Sequence, residues 1–165
     1  MDALCFYYSG HELNHINNEK YNIVNFFELP KEPKIASTYM RKGFEKPKFE
    51  IVRIAGTVLD KNKHKHTIAL LTVNGVVNVK YYDGAFYHYD RQISCKNENG
   101  KKTVLEKSWF SRGSKLLLCG FRREQYFRPY RYRDTIYNHT TTLIEGITPE
   151  GDLILRTERM QQNNE

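Results

Sequence analysis

Residues 49–83 read FEIVRIAGTVLDKNKHKHTIALLTVNGVVNVKYYD, and their pattern decides the fold. Val52, Ile54 and Val58 share one parity; Arg53, Ala55 and Thr57 share the other. A period of two is that of a half-buried strand. Gly56 inside the run marks a bulge or a sharp bend, as at a barrel corner. Asp60-Lys61-Asn62-Lys63 is a turn, and HKHTIALLT, residues 64–72, is a second strand. Asn74-Gly75 is a strong hairpin signal. The third strand follows, with Val77, Val79 and Tyr81 alternating against Asn78, Lys80 and Tyr82. Three consecutive antiparallel strands are therefore predicted. Alternation alone leaves open which set points outward, because a one-residue slip reverses every side chain.

Downstream, Gly84–Ile93 loses the alternation. Phe86, Tyr89 and Ile93 recur at helical spacing, which predicts a short helix. Lys96–Lys102 is a polar turn, Thr103–Phe110 a short piece, and Ser114–Arg123 a fourth strand. YFRPYRYR, residues 126–133, contains Pro129 and is expected at an edge or in a loop. His139–Ile147 is a β-branched fifth strand, Thr148–Asp152 a turn, and LILRTE pairs back. Three meandering strands, a helix and two more strands are the order of an OB-fold, a five-stranded barrel with its helix between strands three and four. The fold class expected is all-β, over residues 49–158. Residues 1–48 form an N-terminal tail and linker, partly helical and partly extended, and 159–165 a frayed end. Within the tail, Tyr21–Leu29 is a short apolar piece that must dock on something. Pro30–Pro47 is a linker by composition, in which Ile35–Met40 is an edge-strand candidate.

The 165 residues carry 26 Lys and Arg against 19 Asp and Glu, a net charge of +7. That excess is local. Lys101–Arg133 holds ten basic residues against only Glu106 and Glu124, so it exceeds the excess of the whole chain. Rings are interleaved with it: Trp109, Phe110, Phe121, Tyr126, Phe127, Tyr130 and Tyr132. Cations neutralise phosphates and flat rings stack on unpaired bases. The bland reading is a strand core followed by ordinary solvated arginines. The nucleic-acid reading offers as contacts Arg53, Lys80, Tyr82, Lys107, Trp109, Phe110, Arg112, Arg122, Arg123, Tyr126, Arg128, Tyr130 and Arg131. Trp109 also reads as a core anchor, since tryptophan is usually much buried.

Other chemistry is poorly served. No apolar run nears the roughly 20 residues of a membrane span, and no membrane partner is expected. Cys5, Cys95 and Cys119 are odd in number and far apart, which suits a reducing cytoplasm rather than a disulfide scaffold. His64 and His66 lack the further ligands that zinc requires, so no metal site is expected. Asp60, Asp83, Asp90 and Asp134 are scattered, no Gly-rich phosphate loop exists, and neither catalytic residues nor a cofactor are predicted.

Residues 4–13, LCFYYSGHEL, resemble a signature of bacterial C-family replicative DNA polymerases, the polymerase III alpha subunit. Leu4, Phe6, Tyr7, Ser9, Gly10, His11 and Leu13 agree with it; Cys5 stands for glycine and Glu12 for proline. Blocks Arg53–Asp60, Gly75–Tyr82 and Glu106–Gly120 are similar to a divergent branch of that family. The resemblance implies that the segment follows the polymerase core and leads into an OB-fold domain. It implies catalytic carboxylates upstream of this chain. The expected function is then a non-catalytic module that binds single-stranded template DNA beside the polymerase core. The remainder of the alpha subunit and other replication subunits would be its partners. A clamp-binding box is missing from the terminal MQQNNE, which lacks the paired apolar residues. The alternative is a protein-interaction barrel that docks other replication subunits.

Overall fold

The structure is a computed structural model that describes residues 13–133 and 136–160. The polymerase-like signature thus lies, apart from Leu13, outside the described residues. Among the described residues, α1 (Asn18–Tyr21) is followed by a 3-10 turn at Phe26–Glu28. A hairpin follows, β1 (Ile35–Arg41) and β2 (Phe44–Phe49). Next come β3 (Val52–Asn62), β4 (Thr67–Thr72), β5 (Gly75–Lys80), α2 (Asp83–Asp90), β6 (Ile93–Lys96) and β7 (Lys102–Glu106). The last strands are β8 (Lys115–Arg123), β9 (Tyr126–Pro129), β10 (Thr141–Ile147) and β11 (Leu153–Arg156).

Five strands close on themselves. β3 pairs with β4, β4 with β5, β5 with β9 in parallel, β9 with β8, and β8 back to β3. With α2 between the third and fourth barrel strands, this is an OB-fold. The expected parity is observed: Ile54, Val58, Ile68, Leu70, Val77, Val79, Tyr81, Leu116, Leu118 and Phe127 fill the barrel. Closing five strands forces backbones together where they cross. A Cβ on Gly56 would stand 2.8 Å from the Leu71 carbonyl oxygen, and one on Gly120 would land on the Arg128 carbonyl. The glycine that predicts a bend is therefore a crossing point, and the irregular register of β3 comes later, between Val58 and Asp60.

One strand assignment changes. The fifth barrel strand is Tyr126–Pro129, not His139–Ile147. Proline is tolerated because it ends β9, beyond the two positions at which β5 pairs, Asn78 with Tyr126 and Val79 with Phe127. β10 does pair with β8, but alongside Leu116–Leu118, while β9 takes Gly120–Arg123. Two segments thus share one edge of β8. The helix also ends earlier than its spacing predicts, since Ile93 opens β6.

Both ends of the barrel are sealed. Phe26 plugs one end, and Phe86, Phe110 and Trp109 pack under α2 at the other. The segment leading to Phe26 bridges to β3, with Val24 N–H donating to the Arg53 carbonyl at 2.9 Å. A second apolar layer lies outside the barrel: Leu13, Ile16, Ala55, Leu117 and Ile144. The apolar N-terminal pieces therefore find their burial on β3, β8 and β10.

The C-terminal residues are anchored up to the last one described. Arg159 is 6% exposed, and its guanidinium donates to the carbonyls of His88, Tyr89 and Lys107. Glu106 accepts from Trp109 Nε1 and from Met160 N–H, each at 2.7 Å. Burial pushes the Glu106 carboxyl up, but the Met160 and Trp109 hydrogen bonds with Arg156 and Arg159 outweigh it, holding the group below its ordinary range. A depressed carboxyl stabilises the fold above its unfolded pKa and loses that contribution as pH falls through its folded value. Acid titration followed by near-ultraviolet circular dichroism should show unfolding below about pH 4 that is blunted in Glu106→Gln. An unchanged acid profile in that variant would remove Glu106 from the account.

Gly120→Ala should destabilise the chain by about 2–4 kcal/mol, because backbone rather than a flexible side chain occupies the space. Thermal melting of wild type and variant checks this.

Candidate nucleic-acid interface

The closed barrel turns the odd-numbered wall of β8 and the even-numbered walls of β5 and β9 outward. Asn78, Lys80 and Tyr82 therefore lie beside Tyr126, Arg128 and Tyr130, with Phe121 and Arg123 next along β8. Cations sit on rings across this face. Lys80 Nζ lies 5.7 Å from the Tyr126 ring centre, and the Arg128 guanidinium 4.5 Å from that of Tyr82. Arg123 lies 5.3 Å from the ring of Phe49 and 5.4 Å from that of Phe121. The rings also meet one another: Tyr130 contacts Tyr82, Phe121 and Tyr132 at 6.5, 5.8 and 5.0 Å between centres. Each guanidinium or ammonium lies against a ring of this face. Tyr82 is 51% exposed, and Tyr126 and Tyr130 are half-buried, so part of each side chain reaches the surface.

The hairpin β1–β2 extends this face. Tyr39 meets Tyr132 at 6.4 Å, Lys48 Nζ lies 5.4 Å from the same ring, and Phe49 N–H donates to the Tyr132 hydroxyl. Lys42 and Gly43, both with positive φ, make its two-residue turn. Tyr39, Lys48, Phe49 and Tyr132 were not among the predicted contacts. The signal was present: alternating residues on either side of Lys42-Gly43, masked by the prolines and charge that read as linker.

The remaining predicted contacts separate. Trp109 and Phe110 are each 1% exposed, so they offer no face to a base and are withdrawn as contacts. Trp109 is the core anchor of the alternative reading: it stacks on Tyr89 at 5.4 Å and bonds to Glu106. Arg122 points to the plugged end, where its guanidinium donates to the Phe26 and Leu29 carbonyls, each at 3.0 Å, and its Nε to Glu124. It also covers the Phe26 ring at 4.4 Å. Arg53 lies over Tyr137 at 4.2 Å, beside the 21–24 segment. Lys107 and Arg112 are exposed near α2, away from the β5–β9 face, and Arg131 is exposed just past β9. The basic stretch 101–133 is thus two surfaces, divided by the buried strand β8.

Among the described residues no group of three or more His, Cys, Asp or Glu could hold a metal ion. His66 Nδ1 pairs with Asp83 at 2.8 Å and its ring packs on Phe86 and Tyr87, while His64 is exposed. Cys119 is buried, and burial pushes its thiol up to about 11, which removes it as a nucleophile. No helix of the described residues is long and apolar enough to cross a membrane.

The chain is similar to one segment of known DNA polymerases. It is 47% identical over 161 residues to the probable DNA polymerase YorL of Bacillus subtilis strain 168, and equally to the DNA-directed DNA polymerase of Bacillus phage SPbeta. Each match takes in 98% of this chain and 12% of the relative, so the chain spans a small part of the proteins it resembles. Those names give a DNA polymerase without a subtype. No family model matches the chain. No solved structure matches it either.

Arg122→Ala should lower stability by about 1.5–3 kcal/mol, since the change breaks charged hydrogen bonds to two carbonyls at the plug. Arg123→Ala, on the exposed face, should change the melting temperature little. Equal melting of the two variants would contradict this division of roles.

Proposed function

We propose that this chain is a non-catalytic OB-fold module of a DNA polymerase of the C family, which holds single-stranded template DNA near the polymerase core. The observation that carries the reading is the outer wall of β5, β9 and β8. There Lys80, Arg123 and Arg128 alternate with Phe49, Tyr82, Tyr126 and Tyr130 on one continuous surface. Phosphates are neutralised by the cations and bases stack on the rings, so binding is tolerant of sequence and sensitive to salt. The similarity to segments of two DNA polymerases supports the setting, and the remaining bulk of such a polymerase would supply the catalytic carboxylates. The rest of the polymerase and other replication subunits would be its neighbours, in the cytoplasm.

Titration of the chain with fluorescent oligo-dT should give an affinity that falls steeply with salt and exceeds that for duplex of equal length. Tyr82→Ala and Tyr126→Ala should each weaken it by about 1–3 kcal/mol, the worth of one base stacked on a ring. Arg128→Ala should cut the salt slope by about 0.7, one phosphate contact on a single strand. Binding indifferent to salt and to these rings, alongside a replication protein bound tightly, would favour the docking barrel instead.

A further inference from the structure

A second basic surface lies at the α2 end of the barrel, and the ring face does not use it. A cleft of about 520 Å³ opens there between the β3–β4 turn, α2 and the segment after β7. Lys61, Lys63, Arg91 and Lys107 line it, with the hydroxyls of Ser108, Ser111 and Tyr87. Among these described lining residues the sole carboxylate is Asp90. Asp90 is buried and fully engaged: it accepts from Lys61 Nζ at 2.7 Å and from Ser108 Oγ at 2.8 Å, with Lys63 at 3.9 Å. Ser108 Oγ in turn accepts from Phe110 N–H. One fixed carboxylate therefore orients Lys61, with Lys63 nearby, and Arg91 and Lys107 add two further cations to the lining.

Four cations around one carboxylate leave a surplus of positive charge in a concave site. Such a surplus repels itself, and a bound anion relieves it; low-dielectric walls then strengthen the attraction. Lysine ammoniums, a guanidinium and the hydroxyls of Ser111 and Tyr87 are phosphate donors in type, whereas the Ser108 proton is already given to Asp90. The cleft follows the ring face directly in sequence, with the intervening Asp83 carboxylate paired to His66 at 2.8 Å. Tyr82 precedes α2, and Asp83, Tyr87 and Arg91 follow at four-residue steps along one side of it. Tyr87 is 55% exposed and packs against His66 on the way.

We propose that this cleft is a phosphate seat that takes the backbone of the same polynucleotide after it leaves the rings of β5 and β9. The proposal rests on the single-strand reading above, which it extends from one face to two. A strand crossing both would meet stacking platforms first and then a purely electrostatic anchor.

The test compares a short oligo-dT of about six nucleotides with a long one of about sixteen, the range of single OB-fold sites. Arg91→Ala/Lys107→Ala removes two exposed cations and should leave the melting temperature unchanged. It should weaken the long oligomer about tenfold, lower its salt slope by about 1.4 for two phosphate contacts, and leave the short oligomer untouched. Tyr82→Ala should weaken both. Equal loss on both oligomers, or no loss on either, overturns the seat. A wild-type chain that binds neither oligomer overturns the ring-face reading and the seat together. Titration with dTTP and pyrophosphate separates a free phosphate ligand from a polynucleotide. If those bind in a manner the double variant abolishes while long-oligomer affinity stays unchanged, the polynucleotide assignment is wrong.

Discussion

β8 must serve three neighbours with two edges, and most of the molecule follows from that. One edge is given wholly to β3, over Lys115–Gly120. The other is divided between β9 and β10. Gly120 stands where the division occurs, against the Arg128 backbone, and only a residue without Cβ lets β9 come close enough to reach β5. Closure through four residues of β9 fixes the parity of the wall. Phe127 goes inside; Tyr126 and Arg128 go outside.

Parity then sorts the charge. Residues pointing inward from β8 are apolar until the barrel ends, and there Arg122 replaces them as a lid over Phe26. Its neighbour Arg123 points the other way and joins the rings of Phe49 and Phe121. Two adjacent arginines thus do different work, one internal and one on the surface. Nothing in their chemistry distinguishes them; only the alternation does. Trp109 and Phe110 are sorted otherwise: both sit in the turn after β7 and are buried under α2, whereas the alternation of β9 displays Tyr126 on the wall.

Much of the barrel was legible because its interior obeys a simple period. Val52–Val58 and Val77–Tyr81 show that period cleanly, and Asn74-Gly75 joins two of the strands. What escaped was decided by partners rather than by local pattern. Tyr126–Pro129 is too short and carries a proline, yet it closes the ring because β5 needs just two positions from it. His139–Ile147 reads as a better strand and pairs only at the periphery. The hairpin of Ile35–Phe49 was obscured by lysines and prolines, although Lys42-Gly43 marks its turn. The basic stretch 101–133 read as a single patch because sequence order conceals that β8 passes through the middle of the molecule between its halves.

The anchoring of Arg159 and Met160 bears on where this unit stops. Arg159 covers one face of Trp109 at 5.7 Å and takes the carbonyls that end α2, while Met160 supplies an amide to Glu106. The last strand of the closed barrel ends at Pro129, and the sheet continues only to β11, which ends at Arg156, so these contacts lie beyond both. Excision ahead of Arg159 would strip the indole of its cover and strand a carboxylate in the interior. Among the described residues, the last buried side chain is therefore an arginine with no strand or helix around it.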